Sequence, residues 1–256
     1  MPGHPVAERA QKVLSGLGLA SRREAETWIR AGRLTINGRT AVLGDRVARG
    51  DELRLDGRLI RQTGPARAWP ILLCHRSPGQ PLLSASGGEP SVSAGLPRRL
   101  GRRFMSISPL PQPDGGLELL TADGELAARL QRAVRAQRVT YSLRARGELG
   151  ATQLDAIREG RLDRGVTLRI LEISEAGGAG SNRWYRIETV GASGNDLRQL
   201  LERAGVAVSR LLRIQLGTLE LERALPRGRW RELSAEEVSS LLQPPAPAAG
   251  NPGSVP

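Results

Sequence analysis

The sequence has almost nothing from which a metal centre or thiol chemistry could be assembled. Cys74 is its one cysteine, and His4 and His75 are its two histidines. That excludes an internal disulfide framework and a zinc site of cysteine and histidine donors, and it leaves little room for a Ser–His or Cys–His nucleophile system. A lone thiol fits a reducing compartment, so a cytoplasmic protein is expected. Aromatic residues make up only 3% of the chain, too few for a binder that stacks successive bases of a single strand on its rings. No apolar run approaches the ~20 residues needed to cross a bilayer. The N-terminus lacks the charged start and apolar stretch of a signal peptide. No metal and no membrane partner are therefore expected.

Lysine is equally scarce, Lys12 being the only one among 38 basic residues. The rest are arginine, and the net charge is +12. A GC-rich genome accounts for arginine in place of lysine, but not for an excess of basic over acidic residues. Arginine presents a rigid fork of donors that matches phosphate and stacks on bases, so the surplus points to a polyanionic partner. Residues 1–62 carry 12 basic and 7 acidic side chains, and the excess continues through the remainder. At 256 residues, the chain is long enough for a small domain and a medium one, each with its own core.

Residues 8–17 place Ala10, Val13, Leu14 and Leu17 at helical spacing, with Gly18 as the stop. Ser21 and Glu24 form a capping box, which predicts a second helix burying Ala25, Trp28 and Ile29 and ending at Gly32. Leu34–Ile36 runs into Asn37-Gly38, and Glu52–Leu55 into Asp56-Gly57, two pairs suited to tight hairpin turns. The proline-flanked stretch 63–70 reads as a linker. Beyond it, strands are expected at 71–74, 117–121, 139–144, 167–173, 184–189 and 212–221, with helices at 125–136, 153–159 and 197–204. Residues 76–103 form a long loop, and Gly177–Gly180 a hairpin loop, since no lysine-bearing helix follows to make it a phosphate cradle. Residues 1–7 read as a flexible N-terminus and 243–256 as a disordered tail.

Residues 8–62 closely resemble the S-four RNA-binding domain. The resemblance is carried by Lys12-Val13-Leu14, Ala20-Ser21-Arg22-Arg23-Glu24-Ala25, Ile29-Arg30-Ala31-Gly32 and Ile36-Asn37-Gly38. It implies an RNA-binding face made by Arg9, Lys12, Ser21, Arg22, Arg23, Arg30, Arg33 and Asn37, with helix N-terminal donors adding to it.

Residues 71–242 resemble the catalytic domain of the ribosomal RNA pseudouridine synthases of the RsuA/RluB type, which carry such a domain in front. Gly116–Ala127 matches the segment after that family's catalytic loop, and Val208–Ile214 with Gly217 and Leu225–Trp230 matches its C-terminal strand and exit. The resemblance implies an α+β fold, with a small front domain followed by a larger domain of mixed, largely antiparallel sheet with flanking helices. It also implies cofactor-free isomerisation of uridine, in which a carboxylate attacks the target nucleotide.

That carboxylate belongs to a Gly-Arg-Leu-Asp loop five residues before the glycine matched by Gly116. Here the loop reads Ser108-Pro109-Leu110-Pro111, so Pro111 stands at the aspartate position and Pro109 at that of its arginine. Proline can neither attack nor exchange protons, and it fixes φ. Asp114 is the nearest substitute. Gly160-Arg161-Leu162-Asp163 spells the motif but follows Tyr141, the tyrosine matched to the target base, whereas the family's loop precedes it. The basic stretch before the last expected helix reads Ala192-Ser193-Gly194-Asn195, leaving Arg198, and the Asn-Lys pair after the first strand reads His75-Arg76. Arg198, Arg210 and Arg213 complete the expected RNA-contacting set.

The expectation is a monomeric, non-catalytic relative that binds structured RNA, ribosomal RNA or a ribosome precursor above all. Two alternatives stand beside it: an active synthase with a relocated nucleophile such as Asp114, and a ribosome-associated protein-interaction scaffold.

Overall fold

The computed structural model describes residues 7–17, 19–62, 70–82, 91–96 and 104–245. Residues 1–6 of the expected N-terminal extension, the expected helix stop Gly18, nearly all of the 63–70 linker, parts of the 76–103 loop and the tail from residue 246 lie outside the described residues. The chain divides into two compact units: Met1–Pro70 with Pro97–Met105 and Thr121–Leu126, and Ile71–Leu96 with Ser106–Leu120 and Ala127–Pro256.

The first unit runs β1 (Glu8–Arg9), α1 (Ala10–Gly16), α2 (Arg22–Arg30), β2 (Leu34–Ile36), β3 (Arg39–Thr40), β4 (Arg46–Val47), β5 (Leu53–Leu55) and β6 (Arg58–Ile60). Strands β3, β2, β5 and β6 form one sheet in that order, and β1 pairs with β4. The capping box is present in full. Ser21 Oγ accepts from the Glu24 N–H at 3.2 Å, and the Glu24 carboxylate accepts from the Ser21 N–H at 3.3 Å. The apolar side of α2 buries Ala25 and Ile29 in a core with Leu14, Leu34 and Leu53, and Trp28 is partly buried against it. Asn37 and Gly38 have φ of 50° and 81°, and Asp56 and Gly57 of 49° and 77°, the left-handed pairs that two-residue hairpins demand. Ser21→Ala is expected to cost about 1 kcal/mol, measurable as a lowered urea midpoint.

The elements after residue 70, which belong to the second unit except for Met105 and Thr121–Leu126, begin with β7 (Ile71–Arg76), β8 (Met105–Ser106) and β9 (Gly115–Thr121). These are followed by α3 (Gly124–Ala133), β10 (Arg138–Arg146), α4 (Ala151–Glu159), β11 (Ile170–Ala179), β12 (Asn182–Val190) and α5 (Gly194–Arg203). The remaining elements are β13 (Val208–Leu216), β14 (Leu219–Glu220), β15 (Trp230–Glu232) and α6 (Ala235–Leu242). The sheet order is β11-β12-β10-β13-β9-β7-β15, with β14 on β13 and β8 on β9. All pairings whose register is known are antiparallel except β13–β9.

The single strand expected at 212–221 is two strands. Gly217, at φ 58°, and Thr218 turn the chain back so that Leu216 faces Leu219. The glycines of 177–180 also differ in detail, because β11 continues through Ala179 with a register shift between Glu175 and Gly178. β15 and α6 were not foreseen, although Ser234 and Glu237 spell a capping box that the structure forms.

Side chains alternate across a strand, so β10 presents one covered and one open face. Tyr141, Leu143, Ile187, Leu211 and Arg213 share the covered face and are fully buried. Segments leading into α4 and α5 cap it: Tyr185 Oη accepts from the Leu149 N–H at 2.9 Å, and Tyr141 Oη donates to the Ala192 carbonyl at 3.0 Å. Cys74 in β7 is buried, and burial first, then the nearby Glu118, pushes its thiol up to about 12. Only ~1 in 10,000 of such thiols is ionised at pH 8, and the thiolate is the reactive form. Native protein is expected to leave Ellman's reagent uncoloured until denaturant is added.

Candidate active site and RNA interface

The segment matched to the catalytic loop, residues 108–114, connects β8 to β9. It contains three alternating prolines, Pro109, Pro111 and Pro113, so its shape rests on fixed φ angles and on what its carbonyls bind. Two buried arginines supply that. Arg76, at the end of β7, donates to the carbonyls of Leu110 at 2.8 Å, Pro111 at 3.2 Å and Gln112 at 3.4 Å, and to Gln80 at 2.7 Å. Its charge is met by Glu118 of β9 at 3.0 Å, whose other oxygen accepts from Ser106 Oγ at 2.7 Å. Arg213, in β13, donates to the Ser108 carbonyl at 2.7 Å, to Ser108 Oγ at 2.8 Å and to the Leu117 carbonyl at 2.7 Å.

Pro111 itself packs on the start of α5. A Cβ added at Gly194 would lie 2.7 Å from Pro111 Cδ, so the small residue at 194 allows the helix to meet the proline ring. Pro111, the residue expected at the aspartate position, carries no carboxylate. Asp114, three residues on, is fully buried. Both of its oxygens accept from the Arg198 guanidinium, Nε at 3.2 Å and the Nη contact shorter still. Burial pushes its carboxyl above the usual carboxylate range, and the Arg198 partner pulls in the other direction. A covered, doubly engaged carboxylate ties the loop to α5.

Tyr141 has no exposed ring face on which a base could stack, and burial raises its phenol above its ordinary value. The motif string ending in Asp163 sits after α4, and its carboxylate engages Gln199 and Arg203 of α5.

The residues expected to contact RNA are not equally available. Arg9, Arg22 and Arg23 are exposed and form no ion pair among the described residues. Arg30 is exposed with Glu26 at 4.0 Å, and Lys12 pairs with Glu8 at 2.6 Å. Arg33 lies over the Trp28 ring at 5.3 Å and forks onto Asp56 at 2.8 and 2.5 Å. Ser21 Oγ serves the helix cap, and Asn37 bridges Asp51 at 2.9 Å and the Glu52 N–H at 2.7 Å.

Arg213 requires a correction: it is fully buried and spent on the loop, so it faces no RNA. Arg198 is largely committed to Asp114. Arg210 and Arg213 are three apart in one strand and therefore fall on opposite faces; Arg210 is on the open one, opposite Arg144. Sequence reasoning missed Glu118 altogether. Its signal was a lone acidic residue inside an apolar strand, a place where an unpaired charge is costly.

Comparison with known proteins agrees with this architecture. Residues 8–53 match the S4 domain family. The chain is 38% identical over 241 residues to the ribosomal large subunit pseudouridine synthase B of Haemophilus influenzae, covering 92% of this chain and 67% of that protein. The chain belongs to the RsuA/RluB family of ribosomal RNA pseudouridine synthases. The Escherichia coli K12 pseudouridine synthase B is 36% identical over 247 residues, covering 93% of this chain and 83% of that protein. The fold also matches a pseudouridylate synthase crystal structure with a TM-score of 0.58 at 20% identity, over 91% of this chain and 99% of the other.

Proposed function

We propose that this member of the family binds structured RNA, ribosomal RNA or its precursor, without isomerising uridine. The observation that carries the reading is the loop itself. Pro111 stands where the attacking carboxylate belongs, and the two nearby carboxylates, Asp114 and Glu118, are buried and held by Arg198 and Arg76. Covalent attack needs an accessible nucleophile aligned with the target, and a displacement of about 1 Å is already expensive. RNA binding needs only exposed cations that displace counterions from phosphates, and Arg22 and Arg23 at the start of α2, with Arg9 just before α1, supply them. Cofactor-free action, a monomeric state and these interface residues are parts of the same reading.

The test is equilibrium binding of the full chain to ribosomal RNA fragments across a salt titration. Wild type should bind more weakly as salt rises. The double variant Arg22→Ala/Arg23→Ala should bind roughly tenfold more weakly, with its salt slope reduced by about two. Unchanged affinity and slope would remove the S4 surface from the proposal.

A further inference from the structure

The open face of the second unit's sheet carries a charge arrangement that the fold leaves uncompensated. Arg144 in β10 is registered with Arg210 of β13 on one side and Trp184 of β12 on the other. Side chains directly opposite in antiparallel strands have Cβ atoms about 5 Å apart, where like charges repel. Neither Arg144 nor Arg210 has a carboxylate partner among the described residues. The neighbouring Arg186 shows what compensation looks like on this face, taking Glu188 at 3.1 Å.

Arg144 is also held in position. Its guanidinium carbon lies 5.8 Å from the centroid of the Trp184 ring, a cation–π contact that lays the fork against the indole. Its Nε is buried without a hydrogen-bond partner, an uncommon state for so strong a donor. Two arginines rooted at paired positions of adjacent strands, one of them held by an aromatic ring, suit an oxyanion with several acceptor oxygens.

We propose that the Trp184–Arg144–Arg210 row is a second RNA contact, separate from the S4 surface, in which a backbone phosphate bridges the two guanidinium groups. This rests on the RNA-binding reading above and extends it to the other unit. RNA is favoured over an acidic protein because a phosphodiester offers the multiple oxygens that both forks can share, and because the basic excess of the chain is not confined to the S4 part. The bridging anion would also offset the like charges of Arg144 and Arg210.

The probe is a fluorescein-labelled stem–loop RNA, titrated with full-length protein at several salt concentrations. Arg144→Gln/Arg210→Gln keeps most side-chain volume while removing both charges, and thermal denaturation should show a Tm equal to or above that of wild type. Affinity should fall roughly tenfold and the salt slope by about two. Arg158→Ala, which removes one exposed charge on α4, should stay within about twofold of wild type.

A double variant that binds like Arg158→Ala overturns the proposal. If Arg22→Ala/Arg23→Ala weakens binding in the same assay while this double variant does not, the S4 reading survives and only the second contact falls. If neither pair matters, the RNA-binding reading itself fails. Competition by polyglutamate at equal charge concentration, lost in the same double variant, would reassign the face to acidic proteins and overturn the RNA assignment.

Discussion

Glu118→Ala is expected to destabilise the chain by about 3–5 kcal/mol, the usual cost of leaving a buried charge without its partner. Arg76 and Glu118 are both buried, 3.0 Å apart. The carboxylate does more than neutralise: it holds the guanidinium that closes the carbonyls of Leu110, Pro111 and Gln112. Without it the arginine must stay charged in an apolar strand or swing away and release the loop. A domain with a typical total of 5–15 kcal/mol would lose a large share of its stability. Glu118→Gln keeps an oxygen for Arg76 and should lose clearly less. Urea denaturation of the three proteins measures the order. Equal stability of wild type and Glu118→Ala would mean that the pair contributes nothing and the loop is held in some other way.

Gly116→Ala should be comparably damaging, at roughly 3 kcal/mol or more. Gly116 has φ 99°, a left-handed value that a Cβ makes costly. The added atom would also lie 2.7 Å from the Arg213 backbone nitrogen and closer to its carbonyl oxygen. Both obstacles are backbone, so no rotamer change relieves them. The contact falls at the β9–β13 joint, whose register spans only Leu212 with Gly115 and Arg213 with Gly116. Pushing the strands apart there withdraws Arg213 from Ser108 and Leu117 as well. Loss of cooperative unfolding, or a midpoint far below wild type, is expected in denaturant melts. A wild-type midpoint would show that the joint can open without cost.

Much of the first unit was legible because its determinants are local. The Ser21–Glu24 box and the Asn37-Gly38 and Asp56-Gly57 turns each act within four residues, and the structure forms all of them. Helix α6 carries the same local signal at Ser234 and Glu237 and could have been read from it. Other features needed tertiary information. Sequence parity separates Arg210 from Arg213, but it does not say which face α4 and α5 cover, so the buried Arg213 was indistinguishable from a surface cation. The pairing of Arg76 with Glu118 spans 42 positions and depends on β7 and β9 lying side by side. The three prolines of the loop were visible in the chain, whereas the sealing of Asp114 by Arg198 was not.

The most direct test of a non-catalytic member is pseudouridine mapping by mass spectrometry, on ribosomal RNA from the native host with and without the gene and on the same RNA treated with purified protein. The expected result is an identical pseudouridine pattern in every sample, with the protein still binding the RNA. A uridine converted only when the gene or the purified protein is present would contradict it, and loss of that conversion in Asp114→Ala would identify the nucleophile as moved rather than missing.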